Sequence, residues 1–587
     1  MRLPGLDTIA EGVGKVIRRF PFAMLMAFVG TLTAYFLIHI ESLENEYSLY
    51  RLLMTAVLGF LLFLVIQLKL EREKFKGKTV YLVKLIGALF LLLYYWQLPN
   101  DFDYASQAFI IRFFLLGLTL LFSLTFIPFV RHFDEVNGFW QYCKTLFIRL
   151  FLTFVFTGSL YLGLVLALVG IKELLGVDFD EKLFLEMWVM IVGLVSTSFF
   201  LSGIPEKTSV LEKKKDYHKG IQVFAEYILT PLILVYALIL YIYTGKILLH
   251  WDWPEGMVSW LIIVFSVATI LANFMLHPLA EKASYVKKFR KISYALIIPM
   301  TVVMFMALKI RVDEYGVTEP RYYGMVVCFW FLVMSLYFIL SKKKNLLIIP
   351  LSLSIITLVS SAGPLSSMNI SKYSQMTRLK AVLTQYNILV DGRVIKTDQE
   401  LPNEDVRIID GALSYLYRVH GIEVFQPWFE ESLENLDNCW GGRCVMKKMG
   451  ITYGEKGDIS VLRSDVPRYK SFYVDGMESF DIRGYSSIIP MHLSKDREFK
   501  MEDMTISLSQ KPFYLTYRKE DGTEIMIPLD LFMETKLTEG SQGSRTREQM
   551  RIDQADIGIV FDNFDILTDR NDRLEEIRFL SGYLLIR

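Results

Sequence analysis

The chain has 587 residues, of which 53% are hydrophobic, and its formal net charge is +1. Soluble domains average about 45–50% apolar residues, so this chain is richer in apolar residues than an ordinary soluble protein. The balanced charge gives no sign of nucleic-acid binding. The apolar excess lies in the first two thirds of the chain, and the residues after Ala362 have the composition of a globular domain.

The N-terminal segment, residues 1–20, predicts an amphipathic helix. Apolar side chains recur at helical spacing from Leu6 to Phe20, and basic side chains such as Lys15 lie between them. A helix of this kind lies along a membrane surface. The apolar run from Phe22 to Ile40 is too long for the core of a signal peptide, so we interpret it as the first permanent span.

Residues 21–362 predict an α-helical polytopic membrane bundle of about eleven transmembrane helices. Apolar stretches of about 17–25 residues alternate with short charged loops, and about 20 apolar residues cross a hydrocarbon core. The predicted spans are 21–40, 52–68, 79–97, 107–130, 145–171, 184–204, 221–249, 256–277, 292–310, 321–340 and 345–362. The lipid bilayer is therefore the first predicted partner.

Lysine and arginine are sorted unevenly among the loops. If the N-terminus is cytoplasmic, the inner segments hold about 25 of them and the outer loops far fewer, the bias that cytoplasmic loops show. The inner segments are 2–20, 69–78, 131–149, 205–220, 281–291 and 341–344. With an odd number of spans, the predicted C-terminal domain, residues 363–587, is extracytoplasmic.

Polar side chains in the seventh and eighth spans form a candidate membrane site. Gln222, Glu226 and Thr230 repeat every four residues on one helix face, and Asn273 and His277 are four residues apart in the next span. Because consecutive antiparallel helices commonly pack together, a contact between Glu226 and His277 is expected. The contact predicts either a polar, proton-handling site or hydrogen bonds that pin two helices together.

Arg112 is the other ionisable residue of this candidate site. It lies about five residues into the fourth span, where charged groups are costly and often functional. Its long stem also allows the guanidinium to reach the outer interface. Both interpretations stay open.

The loop before the tenth span carries charges of both signs within a tight turn. Its charged residues are Arg311, Asp313, Glu314, Glu319 and Arg321. They predict either an ion-pair cluster that joins two helix ends or a candidate outer-loop site for a ligand or partner. Gly316 lies between them and accommodates a positive φ.

This loop resembles the signature of a bacterial multi-spanning family catalogued as domain of unknown function 4153. The similar residues run Arg-x-Asp-Glu-Tyr-Gly-x-Thr-Glu-x-Arg from Arg311 to Arg321. The stretches Gly363-Pro364-Leu365-Ser366 and Ser374-Gln375-x-x-Arg378-Leu379 are similar to what that family shows after its last span. The resemblance implies a multi-pass protein of the bacterial inner membrane, with no assigned activity or catalytic residues.

The C-terminal domain predicts a small α+β fold with helices first. Helical spacing indicates helices over about 372–387 and 404–420, and alternation after about 456 indicates a mostly antiparallel sheet. A hairpin is predicted where 513–518 and 524–529 flank an Asp-Gly turn. Cys439 and Cys444 would lie in an oxidising compartment, where a disulfide, free thiols and a redox role are the alternatives.

No motif in the sequence identifies a reaction, a metal site or a cofactor, so the sequence disfavours an enzyme and predicts no cofactor. We expect a membrane-anchored binding or scaffold module whose outward-facing domain binds an envelope protein or a lipid. The alternatives are a transporter or channel using the Glu226 and His277 region, and a membrane enzyme acting on lipid-linked substrates at the outer loop.

Overall fold

A computed structural model describes the chain except for short segments. The segments outside the description are 1–5, 41–42, 101–106, 215–216, 218, 252, 254–256, 281–282, 398, 400, 432, 434–441, 452–467, 475–481, 495–498, 502–503, 511–512, 520–523, 531, 534, 536–542, 546, 554–556, 569–573 and 587.

Within the described residues, ten helices are long and apolar enough to cross a membrane. After the amphipathic α1 (Leu6–Arg19), eight of the ten are α2 (Pro21–His39), α3 (Leu43–Glu73), α4 (Lys78–Gln97), α5 (Ala108–Phe126), α6 (Val136–Leu175), α11 (Met257–Met275), α12 (Ser284–Tyr315) and α13 (Glu319–Leu340). An eleventh apolar helix, α14 (Ile348–Ser361), has only 14 residues. The predicted helical membrane fold is confirmed, with a span number close to the eleven expected.

The other two spans are interrupted by π-helical turns. Ile191–Ser196 joins α7 (Lys182–Met190) to α8 (Thr197–Ser202), and Phe224–Leu229 joins α9 (Lys219–Val223) to α10 (Thr230–His250). After each turn a threonine hydroxyl donates to the carbonyl five residues earlier. Such turns often occur at functional sites, and the second one contains Glu226.

The membrane helices share one hydrophobic core. In the first half of the chain α3 contacts α2, α4 and α5, and α5 packs against α14. In the second half α12 packs against α11 and α13. Nearly half of α11 is buried, whereas α6 exposes large apolar side chains such as Phe154 and Leu174, as a lipid-facing helix does.

The first compact unit continues beyond α14 and ends at Thr452. It includes α15 (Ser367–Gln385), the hairpin of β1 (Leu389–Val390) and β2 (Arg393–Val394), α16 (Asn403–His420) and α17 (Gly442–Lys448). α15 packs against α13, α14 and α16. The predicted boundary at residue 362 between membrane bundle and C-terminal domain stays a prediction.

The second compact unit, Tyr453–Arg587, is built from β-strands. They are β3 (Arg468–Val474), β4 (Ser487–Ser494), β5 (Phe499–Met501), β6 (Met504–Gln510), β7 (Phe513–Lys519), β8 (Glu524–Pro528), β9 (Gly543–Arg545), β10 (Arg551–Asp553), β11 (Ile557–Thr568) and β12 (Leu574–Ile586). One sheet has the order β4-β12-β11-β3-β9 with β10 beside β11, and the other has the order β5-β6-β7-β8. The predicted hairpin is confirmed by the antiparallel β7 and β8, and both sheets contribute to one core.

Candidate functional site

The turn between α12 and α13 is held by α15. The Gln375 side-chain amide donates to the carbonyl of Tyr315 at 2.9 Å and to that of Val317 at 3.1 Å, and the Val317 N–H donates to Ser374 Oγ at 2.9 Å. Gly316 has φ +72°, and a Cβ there would lie 2.7 Å from the Gln375 amide nitrogen. Glycine therefore serves both the backbone conformation and the close approach of Gln375.

A buried carboxylate lies beside this turn. Glu319 is 5% exposed, and it accepts a hydrogen bond from the Tyr415 hydroxyl of α16. Burial, followed by the bond to Glu319, raises the pKa of Tyr415, so the phenol stays a donor at neutral pH. A buried carboxylate is costly unless it is hydrogen-bonded, and Tyr415 supplies that bond.

The Arg321 side chain completes the turn. Its guanidinium donates to the Gly316 carbonyl at 2.8 Å and lies over the Tyr315 ring, 5.2 Å from the ring centroid. We call the eight residues around this turn the turn site. They are Tyr315, Gly316, Val317, Glu319, Arg321, Ser374, Gln375 and Tyr415. Segments 311–321 and 374–379, which both resemble the family signature, thus meet at this turn.

The other charges of the predicted outer-loop site lie at its periphery. Asp313 pairs with Lys309 at 2.6 Å, but both side chains are mostly exposed. Burial lowers the pKa of Arg378 on α15, and the nearby Glu314 opposes this effect. Arg311 has no hydrogen bond or ion pair to another described residue. The charges of this loop therefore contact backbone carbonyls and Tyr415 more than they contact one another.

Glu226 has different partners from the one expected. Its carboxylate accepts a hydrogen bond from Tyr285 of α12 at 2.6 Å, and Gln222 lies at 3.4 Å on the same face. Among the described side chains, no hydrogen bond or ion pair joins Glu226 to His277. The carboxylate lies in a π-helical turn and is partly exposed.

Asn273 and His277 lie at the end of α11, beside α12. The Asn273 amide donates to the Ser293 hydroxyl at 2.9 Å, while its carbonyl oxygen is buried without a partner among the described residues. His277 Nδ1 is likewise buried and unpartnered within the described part of the chain. Burial, followed by the nearby Arg290, lowers the pKa of His277 to about 4, so this ring is neutral at pH 7.

Arg112 has no hydrogen bond or ion pair to these groups among the described residues. Its Nε atom is buried, and so is the hydroxyl of Tyr94, and neither atom has a hydrogen-bond partner among the described residues. The structure thus brings Asn273 and His277 together at the end of α11, and among the described residues no hydrogen bond or ion pair joins Arg112 or Glu226 to them.

Charged contacts at the opposite end of the bundle from the turn site were not identified from the sequence. Arg19 donates to Glu71 at 2.8 Å and to the Ile204 carbonyl at 2.7 Å, and Arg72 pairs with Glu135. We call this end the basic end. The acids Glu71, Glu73 and Glu135 within otherwise basic loops were the available signal.

Further hydrogen bonds join more loops at the basic end. Arg131 pairs with Glu73, Asn137 donates to the Glu212 carbonyl at 2.7 Å, and Asn345 donates to the Phe133 carbonyl at 2.7 Å. These contacts bring together residues from or beside five of the six Lys- and Arg-rich segments.

The predicted cysteine pair is not described, since Cys439 lies outside the described residues. Of the described cysteines, Cys143 and Cys328 are free thiols. Among the described residues, no cluster of His, Cys, Asp or Glu side chains would hold a metal ion.

Comparison with known proteins gives a family but no activity. The family described as Domain of unknown function (DUF4153) matches residues 23–391, more than half of the chain. Uncharacterized protein PM1469 of Pasteurella multocida (strain Pm70) is 21% identical over 384 residues, which are 65% of this chain and 62% of the relative. The chain therefore aligns with less than two thirds of that protein. No solved structure matches the chain.

Proposed function

We propose, from the premise that the chain belongs to this family of unknown function, that the protein is a membrane-anchored binding module. The family and the ten apolar helices among the described residues indicate an integral membrane protein. In the proposal, the membrane helices hold the C-terminal region at one membrane face, where it binds an envelope protein or a lipid.

The turn site is the observation that carries this proposal. Its buried groups hold α15 and α16 against the α12–α13 turn through Gln375, Ser374 and Tyr415. Groups that are buried and mutually hydrogen-bonded fix a geometry, and Glu319, the buried carboxylate of the site, is occupied by the bond from Tyr415. The site therefore favours a structural role, in which it holds α15 and α16 against the membrane helices, over a catalytic role.

The proposed sidedness puts the N-terminus in the cytoplasm of a bacterial inner membrane and residues after 361 outside it. It is supported by the Lys and Arg bias and by the contacts that gather basic segments at the basic end. Reporter fusions after Ser361 and at Arg587 test it. We expect alkaline phosphatase activity at both positions, and a fluorescent cytoplasmic reporter at either position would contradict the proposal.

Site-specific photo-crosslinking in the full-length chain tests the binding role. Met526 and Ile488 are exposed in the second compact unit at 55% and 42%, and Leu174 on α6 is an exposed control at 85%. We expect a discrete protein adduct from Met526 or Ile488 and only lipid adducts from Leu174. Lipid adducts at all three positions would rule out a protein partner in favour of a lipid, and the same protein adduct at Leu174 would refute selective binding by the C-terminal region.

Proton or ion movement is the second candidate function, because Glu226 lies in a π-helical turn with Tyr285 as its donor. Proteoliposomes loaded with a pH-sensitive dye would report proton flux. If the candidate holds, Glu226→Gln abolishes the flux and Glu173→Gln, at an exposed acid of α6, does not. Equal flux in wild type and Glu226→Gln would remove this candidate.

A further inference from the structure

The start of α12 gathers positive charge. α12 and α13 are antiparallel neighbours joined by a short turn, so the start of α12 lies beside the end of α13. The stacked rings of Tyr294 and Phe338, 4.9 Å apart, show this contact. Burial, followed by Arg290 and Lys291, lowers the pKa of Lys344, as expected where cations crowd together.

Arg290 is buried, and no counter-charge pairs with it among the described residues. It is 8% exposed, and its side chain makes no ion pair or hydrogen bond within the described part of the chain. Nearby lysines also lack an acidic partner among the described residues; they are Lys287, Lys288, Lys291, Lys342, Lys343 and Lys344. An arginine taken out of water without a partner is costly, and no acid among the described residues offsets that cost, so this arrangement favours a bound anion.

Two neutral groups beside Arg290 also lack partners within the described ranges. Tyr294 lies four residues after Arg290, on the same helix face, and its hydroxyl has no described partner although the residue is only 1% exposed. His277 is close enough for Arg290 to lower its pKa, and its Nδ1 atom is buried without a described partner. A neutral imidazole and a phenol each offer one hydrogen-bond donor.

Guanidinium, ammonium and hydroxyl donors together suit a phosphate group, whose oxygens accept several charge-assisted hydrogen bonds. The location favours a lipid phosphate. α12 has 32 residues and so is about 48 Å long, longer than a ~30 Å hydrocarbon core. Arg290 lies about 9 Å from its first residue, near the depth of lipid headgroups, and Tyr285 and Ile292 beside it are about half exposed.

We propose that the start of α12 binds the phosphate group of an anionic phospholipid. The residues that hold the phosphate are Arg290, Tyr294, His277 and Lys344. The acyl chains lie on the neighbouring apolar surface, which includes Ile292. Basic pockets between membrane helices bind anionic lipid headgroups in this way.

Lipid binding by the full-length protein tests the proposal. The purified protein is delipidated in neutral detergent and titrated with phosphatidylglycerol, phosphatidylcholine or inorganic phosphate, with sodium chloride added to match ionic strength. Tryptophan fluorescence gives the dissociation constant, and thermal unfolding gives the stabilisation. We expect tight binding and stabilisation with phosphatidylglycerol, and little of either with phosphatidylcholine or free phosphate.

Matched variants locate the site. Arg290→Gln should weaken phosphatidylglycerol binding about tenfold or more, since one lost charge-assisted hydrogen bond has that effect. Lys288→Gln removes the same charge from an exposed position on the same helix and should change binding little. Tyr294→Phe keeps the stacked ring, so the lipid-free protein should stay folded while its binding of the lipid weakens.

Several results would overturn the proposal. One is equal loss of binding in Arg290→Gln and Lys288→Gln, which would indicate general attraction to a basic surface. Another is unchanged lipid binding by a folded Tyr294→Phe protein. Stabilisation by inorganic phosphate equal to that by phosphatidylglycerol would refute the lipid as ligand.

Discussion

Buried polar groups near the two ends of α12 differ in whether they have hydrogen-bond partners among the described residues. At its end, the turn site pairs Glu319 with Tyr415 and the turn carbonyls with Gln375. Near its start, Arg290, the Tyr294 hydroxyl and His277 Nδ1 have no partner among the described residues. Buried polar groups normally have hydrogen-bond partners. The end of α12 where such partners are present therefore fits a structural role, and the end where the described residues supply none fits a ligand site.

The same substitution at both ends gives the largest expected contrast. Tyr415→Phe leaves the Glu319 carboxylate buried without its donor and should lower the free energy of unfolding by about 3 kcal/mol. Tyr294→Phe removes a hydroxyl that has no described partner and should change this free energy by less than about 0.5 kcal/mol in lipid-free detergent. Denaturant unfolding of the full-length protein measures both, and equal losses would erase the distinction.

Two separate glycine-to-alanine substitutions test how much the close approach of Gln375 depends on Gly316. Gly316→Ala should cost about 2 kcal/mol, because the alanine both adopts a positive φ and displaces the Gln375 amide. Gly363→Ala is the control, because Gly363 has φ +87° and open space around a Cβ, so only the backbone strain of about 1 kcal/mol applies. The comparison of unfolding free energies isolates the Gln375 contact, and identical losses would argue against it.

One group beside the turn site departs from the pattern of satisfied partners. His420 Nε2 is buried without a described partner, and burial, followed by Lys372, lowers the pKa of His420 to about 4. The unfolded chain binds the proton more tightly than the folded one, so stability should fall as the pH decreases from about 6.5 to about 4.

His420→Gln tests this pH dependence. The variant should show a weaker loss of stability over the same range, measured as unfolding midpoints at several pH values. A pH profile that is the same as that of the wild type would assign the loss to other groups.

The smallest effect is expected at the periphery of the turn. Lys309→Gln removes an ion pair with Asp313 in which both side chains are about 60% exposed, and water screens such pairs, so the change should stay within about 0.5 kcal/mol. Arg321→Gln, which loses contacts to two turn carbonyls, should cost more. Unfolding free energies in the same detergent compare them, and the reverse order would show that the exposed charges hold the turn.

The apolar spans, the α15, α16 and β7–β8 segments and the grouping of basic loops were predictable from the sequence, because each depends on local periodicity or composition. The partners within the candidate sites were not. Tyr415 lies 96 residues from Glu319, and no local pattern indicates that α16 reaches the α12–α13 turn. Glu226 lies within an apolar span, but its donor Tyr285 follows from helix packing.

The sequence by itself determined which segments are apolar enough to lie in lipid and where the positive charges concentrate. Hydropathy and charge are properties of each segment alone. Only the tertiary structure decided which buried polar groups found partners. That outcome depends on distances between side chains far apart in the chain, and it separates the satisfied turn site from the unsatisfied cluster around Arg290.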